Sequence, residues 1–407
     1  MNILIISDVY VPNANSSAIL MRDLALSFVK RGMSVDVLTL LETNIEGMAV
    51  QESLTIDSET EIRVLRVGNL KKKKVGLIRR GLSEILLPTS FYRGFKEYLS
   101  DRKPDIIVCY AQPITLERTL KKIKKRYGSK IYLVLRDVFP QCAVDVGAIK
   151  QGLVFAFFKK IEKELYRVSD FIGVQSANDL KILSDDYSCY KDKIELKYNW
   201  IDVEPYEQKE IKRDFRNEFG IEKRMICLYA GNIGKYQELT FLGELIERNQ
   251  DKSDAVFLIV GSGSESVNLR EKYGHLPNVM FKEFISPEDY PDLVRQCDIG
   301  LINLNRSLTV HNIPGKLMGY WSAKLPVLAS INPGNDLFEL IVDADGGLCS
   351  ITGDLESYLA NFNRLYESRK LREKMGMSGY CFVQDHFSVD MARDKIIEHF
   401  VGVERNV

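Results

Sequence analysis

Short unbroken runs of Val, Ile and Leu recur along the chain, each closed by Gly, Asn, Ser or Pro and followed by a stretch with helical spacing. Between Met225 and Ser330 the pattern reads MICLYAGNIGKYQEL, VFLIVGSGSE, VMFKEF, CDIGLINL and IPGKLMGYWSAKLPVLAS. Runs this short and this uniformly apolar suit strands buried on both faces, as in a parallel sheet covered by helices. The turns Gly231-Asn232-Ile233-Gly234 and Gly261-Ser262-Gly263 close the first two runs and so sit at strand C-termini. That edge is where open α/β sheets bind ligands. A helix starting just past such a turn offers unpaired N–H groups to an anion, commonly a phosphate.

The first half of the chain follows the same rhythm. Asn2 to Ile6 reads as a strand, Ser7 to Ser17 as a loop, Ala18 to Lys30 as an amphipathic helix ended by Gly32, and Val35 to Leu40 as the next strand. Further strands are expected at Ile62–Val67, Ile106–Cys109, Ile131–Leu135, Phe171–Val174 and Ile194–Lys197. Strand–helix alternation predicts a doubly wound parallel sheet. Asn199-Trp200-Ile201-Asp202 and the polar stretch from Glu204 to Arg216 read as a linker, after which a second sheet opens. The expected architecture is α/β, with two Rossmann-like domains facing a cleft. They span 1–198 and 199–387, and a final helix of about 388–407, capped by Ser388, packs back on the first.

Composition narrows the classes. The 407 residues leave room for two domains of roughly 150–200 residues each. Lys+Arg and Asp+Glu both total 56, so no global charge favours nucleic acid as a partner. The seven cysteines are scattered and never form C-x-x-C, which suits a reducing compartment without a zinc site. No leader is read in the first residues, and no apolar stretch approaches the ~20 residues needed to cross a bilayer. A cytoplasmic location is expected. Lys71, Lys72, Lys73 and Lys74 precede VGLIRRGLSEILLPTSFYRGF, so these four cations with Arg79 and Arg80 adjoin an apolar helix face. Such a patch suits an anionic membrane surface, or a solvated loop before a core helix. Phe155, Phe157 and Phe158 are candidates to join it, or to pack in a core helix.

Taken in order, these pieces resemble the GT-B glycosyltransferases, in particular the retaining family-four branch that builds bacterial surface polysaccharides. The resemblance rests on the opening strand and its Pro–Asn–Ser loop, LALSFVKRGMSVDVLTL, RDVFPQ at 136–141, VQSAND at 174–179, YNWID at 198–202, YAGNIGKYQEL at 229–239 and VGSGSE at 260–265. The RDVFP and AGNIG pieces are similar to a subgroup that includes N-acetylfucosamine transferases of O-antigen and capsule assembly. The resemblance implies transfer of a hexose, N-acetylated and carried by uridine diphosphate, onto a polyprenyl-linked or oligosaccharide acceptor at the inner face of the cell membrane. No cofactor and no metal are implied; side chains and amides neutralise the leaving diphosphate.

Carried over position by position, the resemblance also marks departures. Where the family places a diphosphate-binding Arg and Lys, this chain has Asn232 and Glu238, so that pair is not carried over. Lys235, Arg306 and Lys316 are the substitutes on the same expected edge, and Pro314-x-Lys316-Leu317 stands where the subgroup has P-x-K-L. Each of these cations is otherwise a solvated surface residue. The donor-side candidates are therefore Gly231, Asn232, Gly234, Lys235, Gly261, Gly263, Glu265, Ile285, Arg306, Pro314, Lys316 and Leu317. The family's two glutamates, eight positions apart, are replaced by His311 and Gly319; Glu265 and Glu339 are possible stand-ins for the ribose-binding carboxylate.

In the first domain Arg136 and Asp137 follow a strand, where relatives act on the reacting sugar. With His311 they are the catalytic candidates, although Asp137 is also placed to cap the turn into Phe139-Pro140. Ser16 and Ser17 stand where relatives contact diphosphate or acceptor, or else cap the helix that follows. Asp343-Ala344-Asp345 leads into Gly346-Gly347 and reads as a turn, not a metal site. The departures at His311 and Gly319 keep open a second class, a weakened homologue that serves as a partner or scaffold. A sugar epimerase on the same fold is disfavoured by the Asn–Trp–Ile–Asp and P-x-K-L pieces.

Overall fold

The computed structural model describes residues 1–13, 16–41, 53–68, 77–111, 113–136, 138–141, 144, 150–308 and 313–401, with backbone alone at 77–85 and 401. The chain forms two compact units, Met1–Asn199 with Val389–Val407, and Trp200–Ser388.

The first unit holds an eight-stranded sheet: β1 Asn2–Ile6, β2 Ser34–Leu40, β3 Ser53–Ile56, β4 Arg63–Val67, β5 Ile106–Tyr110, β6 Lys130–Leu135, β7 Phe171–Val174 and β8 Ile194–Leu196. Their spatial order is β3-β4-β2-β1-β5-β6-β7-β8. Every pair is parallel except β3 with β4. In this sheet β3 is the strand that the apolar pattern misses. Its Ser-Leu-Thr-Ile alternates at an exposed sheet edge, so it lacks the continuous run that marks its buried neighbours. β5, by contrast, is buried at all five positions.

A buried ion pair ties β2 to β4. Arg63 donates to both carboxylate oxygens of Asp36 at 2.7 and 2.6 Å, and its third contact is Asp101 at 2.8 Å. The last helix, Val389–Val401, belongs to this unit: Ser27 donates to Asp390 at 2.7 Å, Arg393 donates to Ser27 at 2.9 Å, and His399 stacks on Phe171.

The second unit carries β9 Met225–Ala230, β10 Ala255–Val260, β11 Val279–Lys282, β12 Ile299–Asn303, β13 Val327–Ile331 and β14 Gly347–Ile351. All are parallel, in the order β11-β10-β9-β12-β13-β14. Chain order reverses on either side of β1 in the first sheet and of β9 in the second. Each unit therefore has a topological switch point, where the loops leaving adjacent strands diverge and open a crevice.

The two units divide between Asn199 and Trp200. Trp200 is 1% exposed, the Ile201 N–H donates to the Phe387 carbonyl at 2.8 Å, and Ile201 bridges Ser388. The segment is pinned because a large indole there finds apolar cover. Ser388 also donates its hydroxyl to the Gln384 carbonyl at 3.0 Å, closing the helix Arg369–His386.

Removing the carboxylate of Asp36 leaves the Arg63 guanidinium in the sheet with only the exposed Asp101. Asp36→Ala is therefore expected to cost about 3 kcal/mol, the lower end for a broken buried pair, read as a lowered urea midpoint with unchanged slope.

Candidate functional site

At the C-terminal edge of the second sheet, β9 and β10 end in glycine turns that lock together. The Gly231 N–H donates to Val260 O at 3.0 Å, Ile233 N–H to Ser262 O at 2.8 Å, and Glu265 N–H to Ile233 O at 3.0 Å. Gly231 and Gly261 both have φ of 137°, a region that side chains avoid. A Cβ built on Gly261 would overlap the Gly231 carbonyl oxygen, and one on Gly263 would overlap the Ile233 carbonyl oxygen. Glycine is required here because backbone meets backbone. The helix Ser266–Tyr273 starts directly after this turn, and no side chain caps its N-terminus.

The helix Gly315–Ser322 begins beyond Pro314, also without a side-chain cap, and buries Leu317 fully. Its second residue is Lys316. The ammonium lies 3.7 Å from the centroid of the Tyr229 ring on β9 and 3.5 Å from where a Cβ on Gly231 would stand. Its Nζ is sealed from solvent and has no hydrogen-bond partner among the described residues, while the stem is half-buried. Burial pushes this ammonium down to about 7. The Tyr229 face offsets about 0.5–2 kcal/mol of that penalty. Stripping water from an ammonium costs several kcal/mol, so desolvation wins. Tyr229 keeps its ring in place by donating its hydroxyl to Asn232 O at 2.7 Å.

Other candidates gather around this edge. Lys235 opens a short turn, Lys235–Gln237, that is strapped to the loop after β12: Asn305 donates from its side chain to Lys235 O at 3.1 Å and from its backbone to Tyr236 O at 2.8 Å. The Arg306 N–H donates to a Glu238 carboxylate oxygen at 3.1 Å. Arg306 Nη1 lies 2.6 Å from where a Cβ on Gly353, past β14, would stand. Lys235, Arg306 and Lys316 thus belong to loops on one sheet edge, as do Gly231, Asn232, Gly234, Gly261, Gly263 and Glu265. Glu238 acts there as a strap between loops, and Glu265 accepts the Ser264 hydroxyl at 3.4 Å.

Ile285 follows β11 next to Phe284, which is 75% exposed. Phe284 and the exposed Tyr236 are aromatic residues of this edge that the apolar pattern does not single out, since Phe284 closes the VMFKEF piece and Tyr236 sits among polar neighbours.

Gly319 faces away from this chemistry. A Cβ there would stand 3.2 Å from Tyr206 Oη and 3.3 Å from Tyr290 Cε1. Even a Cβ at this position would press Tyr206 and Tyr290 back by a few tenths of an ångström, so Gly319 is packed closely against two tyrosines. Glu339 is exposed on the first turn of the helix Asp336–Asp343. Asp345 takes φ of 45° and pairs with Lys374 at 2.7 Å, so the Asp-Ala-Asp triplet is a turn.

In the first unit the switch point brings together three strand ends. Ser17 opens the helix Ser16–Lys30 after β1, and its Oγ lies 3.0 Å from the hydroxyl of Tyr110, the last residue of β5. Arg136, just past β6, donates to the same Oγ at 2.9 Å. Ser16 beside it is exposed. Tyr110 is the member that sequence reasoning misses, because it reads as the end of an apolar run. Asp137, His311 and Lys71 to Lys74 lie outside the described residues, and Arg79 and Arg80 are placed only as backbone of the helix Leu77–Gly94.

Residues 211–381 match the family described as Glycosyl transferases group 1. The probable glycosyltransferase WbjE of Pseudomonas aeruginosa is 20% identical over 275 residues, covering 67% of this chain and 68% of that protein. Among solved structures, a glycosyltransferase from Rickettsia africae superposes with a TM-score of 0.70 at 13% identity, covering 100% of this chain and 99% of that one. Anabaena Alr3699/HepE, solved in complex with UDP, superposes with a TM-score of 0.67 at 12% identity, covering 99% and 100%.

The interlocked turns give a direct test. Gly261→Ala drives a methyl into the Gly231 carbonyl and is expected to destabilise the second unit by at least about 2 kcal/mol in urea unfolding. Gly315→Ala meets nothing within 4 Å and is expected to change stability by less than about 1 kcal/mol. The two parallel-sheet units have the GT-B fold, and the match to Glycosyl transferases group 1 over residues 211–381 marks a glycosyltransferase.

Proposed function

We propose that the second unit holds a UDP-sugar by its diphosphate at the Gly231–Gly234 and Gly261–Gly263 turns, with Lys316 as the principal cation. The observation that carries this reading is the Lys316 ammonium, buried without a partner against Gly231 at the switch point of the sheet. A buried amine with no counter-charge is costly to protonate, and an arriving phosphate supplies the missing partner. UDP complexes of Anabaena Alr3699/HepE support the choice of nucleotide.

Breaking the anomeric bond leaves growing negative charge on the diphosphate. Lys316, Lys235, Arg306 and the amide groups of the turns and the following helix starts are the groups available to stabilise it. On the acceptor side the Ser17–Tyr110–Arg136 cluster fixes a guanidinium and two hydroxyls at the first sheet's switch point, with Asp137 next in sequence as the proposed activating or sugar-contacting group. The reaction is proposed to be retaining, with an N-acetylated sugar moved onto a lipid-linked or oligosaccharide acceptor in bacterial surface polysaccharide synthesis. The N-acetylfucosamine-type subgroup is the proposed relative, and His311 the proposed third catalytic group. Thermal-shift titration tests the donor reading. UDP at 100 times its Kd is expected to stabilise the protein by about 2.7 kcal/mol, and Lys316→Gln to weaken its binding at least tenfold. No shift with any nucleotide sugar would instead favour a scaffold role, consistent with Gly319 in the usual carboxylate position.

Docking at an anionic membrane is part of the proposal. The helix Leu153–Val168 starts with Leu153, Val154 and Phe157 at 92%, 56% and 44% exposure, with Lys150, Lys160 and Lys163 nearby in sequence. Apolar side chains in water beside cations suit the headgroup region of an anionic bilayer. Sedimentation with vesicles of phosphatidylglycerol and phosphatidylcholine is expected to pull down the protein. Leu153→Glu combined with Phe157→Glu should abolish most of that binding, as should high salt.

A further inference from the structure

Among the described residues of the second unit, the buried Lys316 Nζ has no hydrogen-bond partner, and its surroundings set its charge. From β9 it meets the face of Tyr229, whose hydroxyl is committed to Asn232 O. Along its own helix Tyr320 accepts the Ala230 N–H at 3.0 Å. Burial pushes both phenols up, so neither offers an anion. On the neighbouring turns Glu238 accepts the Arg306 N–H and Glu265 the Ser264 hydroxyl, and among the described residues no carboxylate pairs with Lys316.

We propose that Lys316 is stored as a neutral amine against Tyr229 and takes up a proton when the diphosphate of the donor arrives. This inference rests on the donor reading given above. Protonation is coupled to binding because the charged form is unfavourable without a counter-charge and favourable beside phosphate oxygens. The direction follows from linkage. Lys316 sits near about 7 in the unliganded protein and returns toward the ordinary lysine value of about 10.4 when paired. Its contribution to binding is complete below pH 7 and fades as pH rises toward the liganded value.

Calorimetry with UDP tests the coupling. At pH 7.5 the heat of binding measured in PIPES and in Tris is expected to differ by an amount that corresponds to uptake of about 0.75 proton per UDP. Between pH 7.5 and 8.5, where the terminal phosphate of UDP is almost fully ionised, affinity should fall several-fold. Lys316→Gln should bind more weakly, with the same heat in both buffers and no decline with pH. A second measurement needs no nucleotide: NMR titration of the Lys316 side chain, assigned by its loss in Lys316→Gln, should show a midpoint near 7 in the unliganded protein.

Three outcomes overturn the inference. UDP binding by the wild type with identical heats in both buffers would do so while leaving the donor reading standing. If UDP does not bind at all, the donor reading falls, and proton-coupled donor binding falls with it. A midpoint near the ordinary lysine value would show the stored amine itself to be wrong.

Discussion

Where the second sheet switches direction, the Gly231 carbonyl oxygen occupies the space that any side chain at Gly261 would need. This approach of backbone to backbone dictates the edge. It forces both turns into conformations that only glycine adopts freely, and it lets the turns exchange hydrogen bonds. It also keeps Gly231 bare in front of Lys316. A side chain at Gly231 would come within 3.5 Å of the lysine ammonium, so the same glycine serves the turn and leaves access to the cation.

The two units solve a similar problem with different chemistry. In the second, the switch point is lined by glycine backbone and a cation held over an aromatic ring. In the first, it is lined by side chains that hold one another: Ser17, Tyr110 and Arg136 meet through a single hydroxyl. The first arrangement leaves amides and charge available to an anion. The second fixes the direction of a guanidinium, which suits positioning a hydroxylated sugar.

Strands buried on both faces were legible because a parallel sheet demands continuous apolar runs. β1 and β7 fall on the expected residues, whereas β3 escapes because an edge strand needs only alternation. Lys316 was legible through its P-x-K-L setting, but its isolation from any partner depends on where Tyr229 and Gly231 fold against it. Tyr110 and Phe284 were missed for the same reason: each closes an apolar piece and reads as part of it. Gly319 looked like a simple loss of a carboxylate; Tyr206 and Tyr290, distant in sequence, fill the direction that carboxylate would take.

The bridge between Ile201 and Ser388 has a further consequence. Paired strands lie about 5 Å apart, so the second unit enters and leaves the chain at nearly one point. In covalent terms it is an insertion: 200–388 occupies a short gap that a few residues could span. A module attached this way can be exchanged whole, through two neighbouring splice points, without rethreading the sheet into which it is inserted.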